Sequence, residues 1–208
     1  MQTKGVLVVV SGFSGAGKGT VMKALLNKYD NYALSVSATT RNPRPGEENG
    51  REYFFLTESQ FEDMIKNDEL IEHARYVDHY YGTPKKYVEE KMAAGKDVIL
   101  EIEIQGALNI KKKFPDALLV FIVPPTAKDL KKRLIGRGTE SAEVIEKRLR
   151  RAAEESDGMD SYDYIVVNDD IDTCVEDLHS LIRSSHFKES ANTDLVARMK
   201  QELHDMTK

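Results

Sequence analysis

The chain of 208 residues contains a single cysteine, Cys174, so it cannot form an internal disulfide framework. Cys174 lies in DIDTCVEDLHSLI, where the helical spacing predicts a small packed residue and not a reactive thiol. No apolar run approaches the ~20 residues that a membrane span requires. The N-terminal MQTKGVLVVV lacks the pattern of a cleaved leader. These absences predict a soluble, cytoplasmic protein that does not bind membranes.

An excess of positive charge is also absent, because the formal net charge is -5, which argues against a general nucleic-acid-binding protein. Residues 128–151 differ, with nine Lys or Arg against four Asp or Glu. This segment contains no aromatic residue on which a base could stack, so it favours a compact phosphate ligand over nucleic acid. The five histidines show no metal-ligand spacing, and no metal cage is predicted.

Short, continuous apolar runs indicate the fold class. Such runs are typical of strands that are buried on both faces, and segments of helical spacing separate them. The pattern predicts an α/β protein, with a parallel sheet flanked by helices and joined by right-handed crossovers. The four runs are VLVVV (6–10), DVIL (97–100), ALLVFIV (117–123) and YIVV (164–167).

Other segments predict additions to this sheet. Residues 35–83 suggest a small insert in which REYFFL and ELIEHARYVDHYYG form antiparallel strands around a short helix. Residues 127–157 suggest a helical lid with a Gly-rich hinge at IGRGT. Residues 189–208 form a helical tail with an apolar stripe that predicts a packing surface, at Leu195, Met199, Leu203 and Met206. The core then comprises residues 1–34, 84–126 and 158–188.

The segment SGFSGAGKGT (11–20) follows the first apolar run and matches the phosphate-binding pattern at Gly12, Gly17 and Lys18. Backbone N–H groups of such a loop and the start of the following helix attract anions, and the lysine contacts the outer phosphates. A glycine-rich turn with a solvated lysine is the alternative. The predicted phosphate-binding residues are Gly12, Phe13, Ser14, Gly15, Ala16, Gly17, Lys18, Gly19 and Thr20.

Gly19 stands where most loops of this type place a hydroxyl on magnesium. Thr20 lies about 100° further round the helix and need not reach the same place. Mg²⁺ often binds through ATP phosphates, water and one or two carboxylates. Glu101 and Glu103 follow the buried strand DVIL, so Glu101 is the predicted metal residue, acting through water; a solvated strand end is the alternative. This arrangement fits small-nucleotide kinases better than switch GTPases.

The segment SVSATTRNPRPGEENGREYFF (35–55) combines Arg41 and Arg44 with Glu47 and Tyr53. Arginine forks bind phosphate oxygens in a bidentate manner, and a neighbouring carboxylate can hold a guanidinium in place. The segment predicts a monophosphate site beside the triphosphate site. A surface loop with incidental charges is the alternative.

Several motifs together, over about residues 5–188, resemble the guanylate kinase family. Besides the two segments above they include LIEHARY, HYYGTP, EIEIQGA, RLIGRGTES, EKRLRRA and YIVVNDD. The resemblance implies a P-loop nucleoside monophosphate kinase that converts ATP and GMP to ADP and GDP with Mg²⁺. Two departures are Phe13, where the family usually has Pro, and residues 189–208, which extend past the usual end.

The resemblance also implies roles for individual residues. The GMP phosphate would be held by four residues that Glu47 positions, namely Arg41, Arg44, Tyr53 and Tyr81. Guanine would be read by Ser37, Glu72 and Thr83, aided by Glu101 and Glu103. The transferring phosphoryl group would be covered by Arg133, Arg137 and Arg148, with Lys18 on the donor phosphates. The adenine side would be formed by Asn168 and Asp169.

Two other functions are compatible with parts of the pattern. A non-catalytic module of the same fold could bind phosphorylated peptides at the monophosphate site, although Lys18, Arg137 and Arg148 argue against it. A related kinase could phosphorylate a ribose bisphosphate, which the set Ser37, Glu72 and Thr83 disfavours. The expected substrates are ATP and GMP, and the expected state is a monomer or a homodimer.

Overall fold

The computed structural model describes residues 4–76, 78–136 and 141–207. The strands are β1 (Leu7–Gly12), β2 (Tyr32–Leu34), β3 (Ala38–Thr39), β4 (Phe54–Phe55), β5 (Leu70–Tyr76), β6 (His79–Pro84), β7 (Asp97–Glu101), β8 (Leu118–Val123) and β9 (Tyr164–Val167). The helices are α1 (Lys18–Lys28), α2 (Glu58–Lys66), α3 (Lys85–Ala93), α4 (Ile104–Lys113), α5 (Ala127–Gly136), α6 (Ala142–Ser156), α7 (Ile171–Ser185) and α8 (Thr193–Met206).

The main sheet has five parallel strands in the order β2-β7-β1-β8-β9. Its central strand β1 is buried on both faces, because Val8 and Val10 pack into one apolar cluster with residues of α1 and α7, whereas Val9 packs into another with residues of α3 and α4. The predicted α/β class with a parallel sheet between helices is therefore confirmed. Strand β2 was not predicted, because its three residues are too few to show a periodic pattern.

The parallel arrangement brings the carboxyl ends of the strands to one edge of the sheet. Gly12 ends β1, and Glu101 ends the neighbouring strand β7. Ligands bind at this edge in open parallel sheets. The fold therefore places the phosphate loop and the predicted carboxylate side by side.

The insert contains a second sheet in the order β4-β3-β6-β5. Strand β6 is antiparallel to both β3 and β5. The antiparallel strands predicted in ELIEHARYVDHYYG are β5 and β6, whereas β3 was not predicted. The prediction was wrong for β4, which pairs in parallel with β3. Residues 40–53 return the chain to the start of β3 before β4 begins, and a crossover of this kind produces parallel pairing. That crossover carries Arg41 and Arg44.

The predicted lid region contains α5 and α6, which pack together through Leu130, Leu134 and Ala152, with Phe13 of the phosphate loop against them. Helix α6 begins after Ser141, whose Oγ accepts the N–H of Val144 (3.4 Å). Arg137 and most of the predicted hinge lie outside the described residues. The division of the chain into core, insert, lid and tail stays a prediction.

The apolar stripe of the tail helix α8 is exposed, and no residue of this helix within the described part of the chain is buried. The exposed fraction rises from 43% at Leu195 to 81% at Met206. The stripe therefore does not pack on the described core of this chain, and its role as a packing surface stays a prediction. Among the described residues, no helix has the length and apolar content that crossing a lipid bilayer requires.

We expect truncation after Ser190 to leave kcat and both KM values within about twofold of the full-length chain. The physical reason is that α8 buries none of its side chains, so its removal withdraws little packing from the sheet. Steady-state kinetics and thermal unfolding of the two chains test this. A folded but inactive truncated protein would contradict it.

Candidate active site

The phosphate loop connects β1 to α1 and turns tightly at glycines. Gly15 and Gly17 both have φ of 92°, a left-handed conformation that favours glycine. A Cβ at Gly17 would also collide with Nδ2 of Asn168. Gly17 caps α1, so the loop ends at the positive end of this helix dipole. The backbone is therefore shaped to surround an anion.

The Lys18 side chain folds back over the loop. Its Nζ donates to the backbone oxygens of Gly12 (2.6 Å) and Phe13 (3.2 Å). Phe13 packs edge-on against Phe121 with ring centroids 5.0 Å apart, so its side chain anchors the loop to the sheet. The ammonium group is thereby held against the backbone of the phosphate loop.

The two carboxylates at and just after the end of β7, Glu101 and Glu103, have different partners. Glu101 lines the cavity beside Lys18, and desolvation of its carboxylate raises its pKa while Lys18 opposes this shift. Glu103 accepts Nη2 of Arg151 in α6 (3.0 Å). Burial raises the pKa of Glu103, and Arg151 opposes that rise. Glu101 is therefore the carboxylate open to a ligand, whereas Glu103 pairs with Arg151 of α6.

The loop, the insert and α6 surround one open cavity of about 830 Å³. Its lining includes Ser14 and Lys18 of the phosphate loop and Ser37, Tyr53 and Tyr81 of the insert. A volume of this order suits a drug-sized ligand or larger. The cavity thus joins the predicted triphosphate and monophosphate sites.

Arg41 and Arg44 are organised by Glu47. The Glu47 carboxylate accepts Nη2 of Arg41 (3.0 Å) and the backbone N–H of Arg44 (2.7 Å). The Arg44 N–H and then the Arg41 guanidinium lower the pKa of Glu47. The Arg41 guanidinium also lies 5.4 Å from the ring centroid of Tyr53. Glu47 therefore fixes the Arg41 guanidinium, while the Arg44 side chain lines the cavity.

Glu72 is a buried carboxyl group at the cavity wall, with only 5% of the residue exposed. Thr83 Oγ1 donates to its Oε1 (2.9 Å). Gly106 of α4 leaves room for Oε2, since a Cβ there would lie 3.1 Å from it. Burial raises the Glu72 pKa to about 7, while the Thr83 hydrogen bond opposes the shift. A group in this state can accept hydrogen bonds from a neutral base.

Comparisons with known proteins agree with this geometry. A family model described as guanylate kinase matches residues 4–185. This chain belongs to the guanylate kinase family. The guanylate kinase of Caldanaerobacter subterraneus subsp. tengcongensis is 46% identical over 202 residues, which cover 97% of this chain and 98% of the relative. The guanylate kinase of Lactococcus lactis is 49% identical over 188 residues, covering 90% and 92%.

A solved structure extends the similarity to three dimensions. The crystal structure of guanylate kinase from Anaplasma phagocytophilum superposes with a TM-score of 0.73 at 32% identity, covering 90% of this chain and 89% of that one. The family resemblance and the fold class predicted from the sequence are therefore both confirmed.

The structure brings eleven of the predicted site residues of this guanylate kinase family member to the cavity wall. Those that line it are Gly12, Ser14, Lys18, Ser37, Arg44, Tyr53, Glu72, Tyr81, Glu101, Glu103 and Arg148. Glu47 accepts hydrogen bonds from the Arg41 guanidinium and from the Arg44 backbone, and Thr83 donates to Glu72. Their individual roles in binding stay predictions.

Other predicted residues lie elsewhere. Gly19 and Thr20 are exposed in the first turn of α1. Asn168 is buried behind the loop, and Asp169 next to it is exposed. Arg133 was expected over the transferring phosphoryl group, but its guanidinium donates to backbone oxygens of Ala16 and Asn168. Both arms of the Arg133 guanidinium thus contact backbone oxygens in this structure, and its predicted contact with the phosphoryl group stays a prediction.

Sequence reasoning missed Arg151 and Glu155, which also line the cavity. Arg151 Nε donates to Glu155 (2.8 Å) within α6, and its Nη2 reaches Glu103 across the cavity wall. The signal was present, because Arg148, Arg151 and Glu155 are three and four residues apart and so share a helix face. Gly106 was missed because nothing in its local sequence indicates the approach of Glu72.

Proposed function

We propose that this protein transfers the γ-phosphoryl group of ATP to GMP and releases ADP and GDP. The observation that carries the proposal is the shared cavity, in which a phosphate loop with Lys18 faces an arginine-bearing insert with a buried Glu72. A donor site and an acceptor site that open into one space are what direct transfer between two nucleotides requires.

Phosphoryl transfer depends mainly on alignment and on charge stabilisation, because the acceptor is a phosphate oxygen that is already ionised at neutral pH. In this mechanism the loop N–H groups and Lys18 hold the donor phosphates, while Arg41 and Arg44 hold the GMP phosphate. Arg148 extends from α6 into the cavity, where its Nη1 donates to Ser14 Oγ (2.6 Å). The reaction needs no covalent intermediate on the protein.

Magnesium fits the donor set on the cavity wall. Glu101 lies beside Lys18 at the end of β7, and Mg²⁺ prefers carboxylate, phosphate and water oxygens. We propose that Glu101 would hold the ion through water and that phosphate oxygens of ATP would supply its direct ligands. Bound Mg²⁺ would neutralise charge on the β and γ phosphates. Gly19 makes this carboxylate more important, because it offers no hydroxyl.

Assembly and location follow from the same proposal. We propose that the enzyme acts in the cytoplasm on free nucleotides, as a monomer or homodimer, without nucleic acid or a membrane. The basic side chains of α6 support a small anionic ligand, since Lys147, Arg148, Arg150 and Arg151 all line the nucleotide cavity.

A direct test measures ADP formation by the purified protein with ATP and a panel of acceptors: GMP, AMP and ribose 1,5-bisphosphate. We expect turnover with GMP to exceed that with the other acceptors by about 10⁴-fold. Turnover with the ribose bisphosphate alone would favour the related kinase. Binding of GMP without turnover of ATP would favour a non-catalytic module.

We expect Arg148→Ala to lower kcat by about 10²-fold or more, with KM for GMP within about threefold, because its charge is placed over the phosphoryl group during transfer. Steady-state kinetics at saturating ATP measure the two parameters separately. Lys131→Ala, an exposed position on α5, is the control for loss of one positive charge. A raised KM for GMP with unchanged kcat would contradict this role.

The affinity for GMP should depend on pH through Glu72. Its pKa is raised to about 7 by burial, so the carboxyl group is protonated below that value and ionised above it. Only the carboxylate can accept both guanine donors, so we expect GMP to bind about tenfold more weakly at pH 6 than at pH 8. Titration calorimetry at each pH measures this.

The GMP phosphate also titrates, near pH ~6. The control is Glu72→Gln, which retains the phosphate titration and removes that of residue 72. Subtraction of its pH profile isolates the contribution of Glu72. The same profile in both proteins would contradict the assignment.

A further inference from the structure

Behind the phosphate loop lies a buried polar group whose role goes beyond the proposed transfer itself. Asn168 follows β9 and is only 3% exposed. Its Nδ2 donates to the backbone oxygen of Ala16 in the loop (2.8 Å), and its own N–H donates to the backbone oxygen of Val123 at the end of β8 (2.7 Å). The loop carbonyl is thereby tied to the edge of the main sheet.

Arg133 of α5 contacts both Ala16 and Asn168. Its Nη1 donates to the Ala16 oxygen (3.2 Å) and its Nη2 to the Asn168 backbone oxygen (2.7 Å). The Ala16 oxygen therefore accepts hydrogen bonds from two side chains, one on α5 and one in the loop after β9. Gly17 is part of the arrangement, because a Cβ at this position would collide with the Asn168 amide.

We propose that Asn168 and Arg133 are positioning residues that orient the Ala16–Gly17 peptide and thereby set the affinity of the loop for the phosphates of ATP. The inference rests on the proposed function of the loop as the ATP site. In a trans peptide the C=O and N–H groups point to opposite sides. Donors that fix the Ala16 oxygen behind the loop consequently turn the Gly17 N–H toward the loop interior, where an anion binds.

The geometry assigns Arg133 to this task in preference to a contact with the moving phosphoryl group. Its planar fork is engaged with two carbonyl oxygens at once, which the compact ammonium of a lysine cannot reproduce. Substitution by lysine therefore separates the two roles. A role based on charge alone survives this change, whereas a role based on the fork does not.

The first experiment measures ATP binding without acceptor, by calorimetry, for Arg133→Lys, Arg133→Gln and the exposed control Lys132→Gln. We expect the ATP dissociation constant to rise about tenfold in both Arg133 variants and to stay unchanged in the control. KM for GMP should stay within about twofold. If Arg133→Lys retains wild-type ATP affinity, or if Arg133→Gln lowers only kcat, the proposal is overturned.

The second experiment separates loop positioning from a contact with adenine. Inorganic tripolyphosphate, which carries no base, is the probe, and its dissociation constant is compared between wild type, Asn168→Ser and Arg133→Gln. We expect weaker binding of tripolyphosphate in both variants. Unchanged tripolyphosphate affinity in folded variants with weakened ATP binding would assign these residues to the base and overturn the proposal.

The double variant Asn168→Ser/Arg133→Gln provides a further check. Both side chains act through one carbonyl, so the combined loss of ATP affinity should be smaller than the product of the single losses. Independent, multiplicative losses would contradict a shared target, as would equal losses for ATP and GMP. Should an Asn168 variant fail to fold, tripolyphosphate binding by Arg133→Lys and Arg133→Gln still tests the proposal.

Failure of the proposed function would instead appear as a wild-type protein that binds ATP without phosphorylating GMP.

Discussion

Replacement of Lys18 by Ala should lower kcat/KM for ATP by at least about 10²-fold, equivalent to ~3 kcal/mol of transition-state stabilisation. Lys18 is the side chain of the loop that carries a positive charge, and it lies beside the cavity with its Nζ close to the loop carbonyls. Charge that accumulates on the β and γ phosphates during transfer is best stabilised by such a fixed donor in a desolvated site. Steady-state kinetics with GMP as acceptor measure the loss.

Two further variants make the Lys18 result specific. Lys18→Met retains the length of the side chain and removes its charge, so it should lose as much activity as Lys18→Ala. Lys23→Ala removes a charge from the exposed face of the same helix and should behave like wild type. GMP binding measured without ATP should survive in all three. Turnover near the wild-type rate in Lys18→Met would show that the loop is not the donor site.

The main sheet was predictable because its strands are buried on both faces and carry unbroken apolar runs. Strand β8, LLVFIV, is buried over its first five residues, which is the pattern that its sequence indicates. Strand β9 was recognised from YIVV although it lies at the sheet edge with Ile165 and Val167 exposed. In both cases β-branched and large apolar residues in a short run were sufficient.

What could not be predicted depends on partners that are distant in the chain. The two residues of β4 pair with β3 in parallel, and neither segment is long enough to show this in its own sequence. Arg133 shares its helix face with the apolar residues that pack beneath it, yet the carbonyl oxygens it binds lie 117 and 35 positions away. The partners of Arg133 could therefore be identified only from the tertiary structure, even though its helix was predicted.

For Glu72, the sequence identifies the site residue but not the environment that determines its chemistry. The alternating LIEHARY predicts a strand, and the family resemblance implies a role in reading guanine. The burial of the carboxyl group, its hydrogen bond from Thr83 and the space left by Gly106 emerge only when β5, β6 and α4 come together. That environment, and not the residue type, raises its pKa to about 7.

Glu72→Ala should lower kcat/KM for GMP by about 10³-fold, while the much lower value for AMP changes little. Guanine presents two adjacent donors, N1–H and the 2-amino group, which one carboxylate can accept together. Adenine has an acceptor at N1 and no 2-amino group, so AMP leaves the buried carboxyl group without its partners. The preference of the enzyme for GMP over AMP should therefore collapse, as measured by competing both acceptors for limiting ATP.

Two control variants, one at position 72 and one at the next position of β5, test whether the Glu72 carboxylate itself causes the preference for GMP. Glu72→Gln preserves the shape and burial of the side chain, but its amide accepts only one guanine donor and directs its own N–H₂ at the other. It should lose nearly as much discrimination as Glu72→Ala. His73→Ala lies one residue further on, on the opposite and exposed side of β5, and should retain the wild-type preference. ATP binding without acceptor should be unaltered in every variant, because Glu72 lies on the acceptor side of the cavity. A Glu72→Gln enzyme with undiminished preference for GMP would assign guanine recognition to other groups and leave Glu72 a structural role beside Thr83.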